Sequence, residues 1–315
     1  MNNALYGTVE YYYKTTDDIL VLPPYLGAIG EGGNHWVNGA SMLNQGVEVS
    51  LGYRNTTPTG FSYEISANMA YNQNVMTYLP DEVVNSYGGN GVDDNILGHS
   101  IDSYYGYIAD GLFTSQEEID NHAEQTGAGL GRIKYRDLNE DGVIDDDDRT
   151  WLGDPHPDFN FGLTLSMGYK GFDFSVFFQG VAGVEVINNE KYHTDFWSVS
   201  ETGSNKGTRL LDAWSPQNPD SDIPALTMNN NNDEGRLSTY FIEDGSYLKL
   251  RNIQLGYNLP EKVLQKMKMK KFRIYVSAQN LFTIKSKDYT GTDPENSSWG
   301  YPIPLTFTGG LSISF

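Results

Sequence analysis

The strongest pattern along this chain is an alternation of apolar and polar residues. From 159 to 170 the odd positions are apolar or aromatic, while the even positions are small or polar, and residues 61 to 72 repeat the pattern. Successive side chains of a β-strand point to opposite faces, so a period of two predicts strands with one apolar and one polar face. We count eight such strands, at 5–13, 47–53, 61–72, 159–170, 172–178, 253–259, 272–278 and 305–315.

The length of these strands indicates what the apolar face contacts. A strand of ten residues rises about 33 Å, and a tilt of about 45° leaves about 24 Å, close to the apolar band of an outer-membrane barrel. Strands of soluble sandwiches usually have about five or six residues. Aromatic residues stand at the strand ends, as in interfacial girdles. We therefore predict an all-β fold, a transmembrane antiparallel β-barrel segment. A soluble β-sandwich or solenoid with one dry face is the alternative.

The connections between the predicted strands alternate in length. Outer-membrane barrels keep short turns on the periplasmic side and long loops outside. The chain is thus expected to end in the periplasm, at Phe315. The short connections are 54–60, 170–171 and 260–271, and the long ones are 15–45, 73–158, 182–245 and 282–305.

Composition narrows the possible functions. The chain has 41 acidic and 21 basic residues, a net charge of -20, which would repel nucleic acid. It contains no cysteine, which excludes disulfides and thiolate metal sites, and its five histidines lack metal-ligand spacing. No apolar stretch is long enough for a transmembrane helix, and the N-terminus lacks the regions of a signal peptide. Because it starts as though inside a strand, we expect a truncated chain.

One acidic segment, 137–148, has the spacing of an EF-hand calcium loop. Calcium prefers six to eight oxygen ligands, and such a loop supplies them from positions 1, 3, 5, 7, 9 and 12, with glycine at position 6. Gly142 stands at that sixth position. The segment therefore predicts a structural Ca²⁺ site. Its expected ligands are Asp137, Asn139, Asp141, the carbonyl of Val143, Asp145 and Asp148.

Two features set this loop apart from a calcium sensor. Position 12 is Asp148 and not glutamate, so a bidentate contact is less assured. A short helix at best precedes the loop, in 114–125, where Ser115 and Glu118 form a capping pattern. We expect a structural staple and not a sensor, with a solvated acidic turn as the alternative. No catalytic motif appears, so we predict no enzyme activity and no catalytic residues.

Tryptophans in the long loops are candidate ligand contacts. Aromatic rings beside amides and carboxylates suit flat, hydroxyl-rich ligands such as sugars. An equally good alternative is that the rings fold the loops or contact a partner. The four candidates are Trp36, Trp197, Trp214 and Trp299.

Several segments resemble one family. They are "YIADGLFTSQEEID" (107–120), the stretch from "IKYRDLNEDG" to "FSVFFQG" (133–180), "FIEDGSYLKLRNIQLGYNLP" (241–260), "RIYVSAQNLFTI" (273–284) and "YPIPLTFTGGLSISF" (301–315). In order and through most of the chain, they resemble the C-terminal half of SusC/RagA-type TonB-linked transporters of the Gram-negative outer membrane.

The resemblance implies a barrel of about 22 strands around an N-terminal plug. It also implies import of glycans or peptides, a SusD-like surface lipoprotein as partner, and energy from TonB. This chain supplies about eight of those strands, with no visible plug. The terminal Phe315 resembles the signal that barrel-assembly machinery recognises, although an ordinary lipid-facing strand would look the same.

The sequence therefore predicts the C-terminal barrel portion of a nutrient importer, residues 1–315, unable to transport alone. The unpaired edges of the first and last strands could not be satisfied in hydrocarbon. Two other classes stay open. One is a secreted β-rich carbohydrate-binding or adhesion protein, and the other is a small self-contained barrel.

Overall fold

The structure, a computed structural model, describes residues 4–21, 36–80, 95–197, 199, 205–298 and 300–315. Its strands are β1 (Leu5–Val21), β2 (Val37–Thr56), β3 (Ser62–Tyr78), β4 (Tyr104–Tyr107), β5 (Ala109–Leu112), β6 (Ile133–Tyr135), β7 (Arg149–Gly153), β8 (Phe159–Tyr169), β9 (Phe172–Ala182), β10 (Glu185–Ile187), β11 (Ile242–Asp244), β12 (Tyr247–Asn258), β13 (Lys271–Lys285) and β14 (Thr306–Ser314). The helices are α1 (Gln116–Asn121), α2 (Glu190–Thr194) and α3 (Glu261–Met267), and 3-10 turns cover Asp146–Asp148, Thr208–Asp212 and Pro294–Asn296.

Eight strands form one antiparallel sheet, which we call the wall. Their spatial order is β1-β2-β3-β8-β9-β12-β13-β14, so every strand pairs with the wall strand that follows it in sequence. The two longest excursions leave the wall between β3 and β8 and between β9 and β12, without altering this order. The prediction of eight sequential strands is confirmed.

Register keeps the two faces of the wall separate across its whole width. Residues paired across neighbouring strands form rows, and one row is apolar on all eight strands, while the adjacent row is mostly small or polar with Tyr6 and Phe177 as exceptions. The apolar row is Leu5, Tyr53, Ile65, Leu165, Val176, Ile253, Ala278 and Phe307. The adjacent row is Tyr6, Gly52, Ser66, Thr164, Phe177, Asn252, Gln279 and Thr306.

Much of the apolar face is exposed. Ile65 is 43% exposed, Val276 57% and Phe307 71%. In the described residues, no second sheet of comparable size packs on it, because the other three sheets have two short strands each. A soluble sandwich would bury these rows. The structure therefore disfavours the soluble sandwich and the secreted β-rich protein.

The wall is open. Among the described residues, β1 and β14 pair only with β2 and β13, so each leaves one edge without a neighbour. A closed barrel has no edges, because hydrocarbon cannot satisfy free backbone amides and carbonyls. The self-contained eight-stranded barrel is therefore not formed.

Strand ends differ from the prediction. We expected a long connection over 15–45, but β1 runs to Val21 and β2 begins at Val37, so that boundary was wrong. The ladder continues through irregularities near Ile19, and Asp18 has a φ of 56°. Polar residues such as Asp17 interrupt the apolar alternation while backbone pairing persists. Similarly, β3 runs on to Tyr78 and β13 to Lys285.

Aromatic pairs lie at both ends of the wall. Tyr71 and Phe159 have ring centroids 5.2 Å apart at the end that carries the long loops. At the other end, Phe61 lies 6.3 Å from Tyr169. These pairs are at the positions expected for interfacial girdles.

The two longest connections fold together into a second body, which we call the loop domain (described residues of 95–158 and 183–245). It contains the short ladders β4·β7, β5·β6 and β10·β11 and the helices α1 and α2. The predicted Ser115 cap is confirmed, since its side chain accepts from the Glu118 amide at 3.2 Å. Within the described part of the chain, the helices are all too short or too polar to cross a bilayer.

Candidate functional site

The loop domain has its own hydrophobic core, built from residues far apart in sequence. Phe241 is fully buried and stacks on Tyr192 with ring centroids 3.9 Å apart. Residues of the excursion after β3, such as Ile133 and Tyr135, belong to the same buried cluster, so the core joins the two excursions. The buried cluster consists of Tyr107, Leu112, Ile133, Tyr135, Ile144, Phe196, Trp214 and Phe241.

A buried polar network also joins the two excursions. Glu234 has no exposed surface, and its carboxylate accepts from Arg132 at 2.8 Å and from the Ile133 amide at 3.1 Å. The Gln125 amide donates to Asn232 Oδ1 at 2.7 Å. Burial raises the pKa of Glu234, although Arg132 opposes this shift. The network fixes one arrangement of the two segments, since each buried group requires its partner.

A second network ties the loop domain to the connection after β13. Glu243 accepts from Lys191 Nζ at 2.7 Å, from the Thr290 amide at 2.9 Å and from the Thr290 hydroxyl at 2.7 Å. Burial alone would raise the pKa of Glu243, but Lys191 and Thr290 outweigh burial and lower it. Thr292 likewise donates from both its amide and its hydroxyl to Glu190, each at 2.8 Å.

The same connection is held to the polar face of the wall. Lys249 on β12 is 1% exposed and contacts Asp293 at 2.7 Å and Glu295 at 2.6 Å. Arg251 also pairs with Glu295, and it donates to Gln179 at 2.8 Å. Wall, last connection and loop domain are therefore one hydrogen-bonded unit.

The rest of the polar face carries hydroxyl, amide and carboxylate groups. Tyr6 donates to Glu64 at 2.6 Å and Tyr12 to Asn72 at 2.6 Å. Such a surface can hydrogen-bond a polar solute or a packed polar domain. Sequence reasoning missed the ion pairs that hold this unit together, because their partners lie far apart in sequence, from 44 positions for Lys249 and Asp293 to 102 positions for Arg132 and Glu234.

The predicted calcium loop has the required turn, but its side chains bond to its own backbone. Gly142 has a φ of 87°, and its amide donates to Asp137 at 2.9 Å. Asn139 accepts from the Asp141 amide at 3.0 Å, and Asp141 from the Val143 amide at 2.9 Å. Among the described residues, three or more histidine, aspartate or glutamate side chains nowhere converge as metal ligands. The glycine turn expected for such a loop is present, whereas the carboxylates do not converge.

The end of this loop is anchored firmly. Asp148 is fully buried, and its two oxygens accept from the Leu138 amide at 2.7 Å and the Asp145 amide at 2.9 Å. Ile144 packs in the loop core, and its amide donates to the Glu124 carbonyl at 2.9 Å. The loop therefore braces the 73–158 excursion through its own hydrogen bonds.

The four candidate tryptophans lie in different surroundings. Trp36 is 64% exposed beside the start of β2, and Trp197 is half-buried after α2. Trp214 is 8% exposed in the loop core, so its ring faces are occupied, and packing explains it better than ligand contact. Trp299 lies outside the described residues. The three described rings do not form one platform, since only Trp214 belongs to the loop core.

Two further aromatic residues, Trp151 and Phe315, lie at different places in the fold. Trp151, which we had not selected, stacks on His99 with ring centroids 4.7 Å apart and packs against the buried cluster around Met76. No sequence periodicity marks it, because β7 has only five residues. Phe315, the predicted assembly signal, follows β14 and is 75% exposed. Its recognition by assembly machinery stays a prediction.

Known proteins resemble the chain over its whole length. TonB-dependent receptor P3 of Formosa agariphila is 33% identical over 344 residues, which cover 100% of this chain and 33% of the relative. TonB-dependent receptor SusC of Bacteroides thetaiotaomicron is 29% identical over 327 residues, covering 100% and 30%. No profile of a known protein family matches the chain.

A solved structure agrees with these relatives. The RagAB peptide transporter superposes with a TM-score of 0.77 at 25% identity, covering 100% of this chain and 33% of the other. The chain is SusC/RagA-like in sequence and fold. The wall is thus a segment of an outer-membrane β-barrel, and its exposed apolar face is the lipid-facing side. The chain spans about a third of the length of the curated relatives it matches.

Proposed function

We propose that the chain is the C-terminal barrel portion of an outer-membrane nutrient importer. In this role, the wall separates lipid from the lumen, and the loop domain with the last connection forms part of the surface that receives cargo. A plug and further strands would come from elsewhere in the complete receptor. The observation that supports this best is the in-register apolar row across all eight strands, beside a polar row.

The proposal also specifies the energy source of uptake, the partner protein and the class of cargo. We assign uptake to a TonB-driven conformational change and not to bond making, because the relatives are receptors and transporters. A SusD-like lipoprotein would cover the loop domain. The cargo is a glycan or a peptide, since the polar face offers amides, hydroxyls and carboxylates for either. The three described tryptophans do not favour a glycan over a peptide as the cargo.

Uptake by the complete receptor tests this proposal. Cells carrying the full-length receptor should take up labelled oligosaccharides or oligopeptides only while TonB is present. The double variant Asp293→Asn and Glu295→Gln should reduce uptake, because it frees the last connection from Lys249. A matched change of two exposed carboxylates, Glu117→Gln and Asp120→Asn on α1, should leave uptake intact. TonB-independent uptake of every cargo, or uptake of none, would refute the assignment.

We also propose that segment 137–148 binds Ca²⁺ as a structural staple. Its support is the ligand spacing and the left-handed turn at Gly142. Binding would require Asp137 and Asp141 to exchange backbone amides for the ion. Asp148 is the weakest of the expected ligands, because it is fully buried and both its oxygens accept backbone amides. The ion would stabilise the excursion and supply no chemistry.

Calorimetry of the full-length receptor tests the calcium proposal. The wild-type receptor should bind one Ca²⁺ more than the double variant Asp137→Ala and Asp141→Ala. A suitable control is Asp120→Ala with Asp212→Ala, which removes two carboxylates outside the loop. Equal calcium binding by the double variant and the wild type would show that segment 137–148 does not bind Ca²⁺.

A further inference from the structure

The connection between β12 and β13 concentrates positive charge on a strongly acidic chain. Four lysines fall within nine residues of it, although the whole chain has 21 basic and 41 acidic residues. All four are exposed, and among the described residues none lies within ion-pair distance of a carboxylate. Uncompensated charge of this density costs self-repulsion unless an anion lies nearby. We call Lys262, Lys266, Lys268 and Lys270 the basic turn.

Helix α3 adds an apolar strip beside these charges. Its Leu264 is buried, whereas Val263 and Met267 are 40% and 43% exposed. Val263 and Met267 are four residues apart, so they lie on the same helix face. Lys262 and Lys266 have the same spacing one position earlier and therefore flank that strip. An apolar strip edged by lysines is the pattern of segments that lie in a membrane interface.

The position of the basic turn matches this pattern. Just before it, outward-facing Tyr257 contacts Phe172 with ring centroids 4.6 Å apart, in the aromatic girdle at the end of the short connections. Just after it, Phe272 lies opposite Ile313 at the same rim. Residues immediately beyond an aromatic girdle are at the level of lipid headgroups.

We propose that the basic turn binds anionic phospholipid headgroups of the leaflet that the short connections face. The lysines contact the phosphates, and Val263 and Met267 enter the acyl boundary. Charge complementarity and the exposed apolar strip together favour a lipid surface over an acidic protein, which would leave that strip unexplained. The inference rests on the outer-membrane position of the wall, and it is independent of the cargo.

Native mass spectrometry of the full-length receptor in detergent tests this proposal. The probes are phosphatidylglycerol and phosphatidylcholine with identical acyl chains. We expect the wild-type receptor to retain phosphatidylglycerol about tenfold more tightly, since each lysine near an anionic surface contributes. The preference should shrink as salt rises from about 0.1 M to about 0.5 M, because salt screens exposed charges.

Charge-neutral variants then assign the effect to the turn. The variant Lys262→Gln, Lys266→Gln, Lys268→Gln and Lys270→Gln should lose the lipid preference, and Lys266→Gln with Lys270→Gln should lose part of it. The matched control, Lys14→Gln with Lys287→Gln, removes two exposed charges elsewhere and should keep it. Resistance of the folded barrel to SDS without heating reports folding, and labelled-cargo uptake is followed separately.

Each outcome decides the question. Equal retention of the two lipids by the wild-type receptor overturns the proposal, even where the fourfold variant fails to fold. A preference that survives in the folded fourfold variant also overturns it. If the lipid preference is absent while the fourfold variant loses uptake, the lysines serve a periplasmic protein instead. Failed uptake with an intact lipid preference would refute the import proposal and leave the lipid site standing.

Discussion

Large apolar side chains face outward on the wall, whereas in the loop domain they are buried. On the wall, large apolar side chains such as Val276 and Phe307 face outward, while Lys249 is buried among carboxylates on the polar side. In the loop domain, Phe241 and Trp214 are buried together. Burial in this chain therefore follows the solvent that each region meets, which is hydrocarbon for the wall and water for the loops.

The largest effect should come from emptying the loop core. Phe241→Ala removes a fully buried ring, which costs about 3–5 kcal/mol for this kind of substitution. Hydrogen exchange of the full-length receptor should show lost protection in 104–153 and 185–244, with the wall unchanged. Phe307→Ala is the matched control, because that ring is on the wall and exposed. Equal loss of protection in both variants would remove the distinction between the two regions.

Charge placed on adjacent wall positions should distinguish its two faces. Ala67 pairs with Leu51 and Leu163 on the lipid-facing side, and Asn68 follows on the polar side. Ala67→Arg should destabilise the barrel by about 2–4 kcal/mol, whereas Asn68→Arg should cost less than about 1 kcal/mol. Urea unfolding of the full-length receptor in lipid vesicles measures both. Similar costs at the two positions would mean that both faces meet the same environment.

Two buried carboxylates of the loop domain have pKa values shifted in opposite directions, so a change of pH should affect them differently. The pKa of Glu243 is lowered by Lys191 and Thr290 against the effect of burial, so its contribution is present above its unfolded pKa and is lost as pH falls through the folded one. Burial raises the pKa of Glu234, so its contribution is present at low pH and is lost as pH rises through the folded pKa.

Because the two pKa shifts are opposite, neutralising Glu243 and neutralising Glu234 should change the stability of the loop domain in different pH ranges. Glu243→Gln should flatten the acid-side loss of loop protection, and Glu234→Gln should flatten any loss that appears as pH rises. Proteolysis of the loop domain in the full-length receptor, followed between about pH 3 and pH 7, reports both. Parallel pH profiles for the two variants would contradict the assigned pKa directions.

The smallest expected effect is local to the loop surface. Ser115 caps α1 through the Glu118 amide, so Ser115→Ala should destabilise this helix by about 1 kcal/mol. Hydrogen exchange of the Glu118 amide should accelerate while Phe241 and the wall keep their protection. Ser103→Ala, a serine in the same excursion that caps no helix, is the control. No change at Glu118 would mean that neighbouring contacts hold the helix without its cap.

The contrast between the regions also explains what sequence could predict. The strand at 159–170 was predicted to within one residue, because its two faces meet different solvents and the alternation continues to its ends. The end of β1 at Val21 was missed, because above the membrane the pairing continues without alternation. The loop core escaped prediction, because Tyr107 and Phe241 meet only through tertiary folding. The calcium spacing was visible in sequence, whereas the bonding of Asp148 to backbone amides was not.

Alternate residues of the wall meet lipid on one face and water on the other. The chain has no cysteine, so single cysteines can be introduced at positions 61 to 72 of the full-length receptor, provided that the remainder also lacks exposed cysteine. Spin labels there, read in a bilayer, should show oxygen accessibility peaking at the odd positions and accessibility to a polar nickel reagent peaking at the even ones. Low oxygen accessibility at the odd positions, or no alternation, would contradict the account.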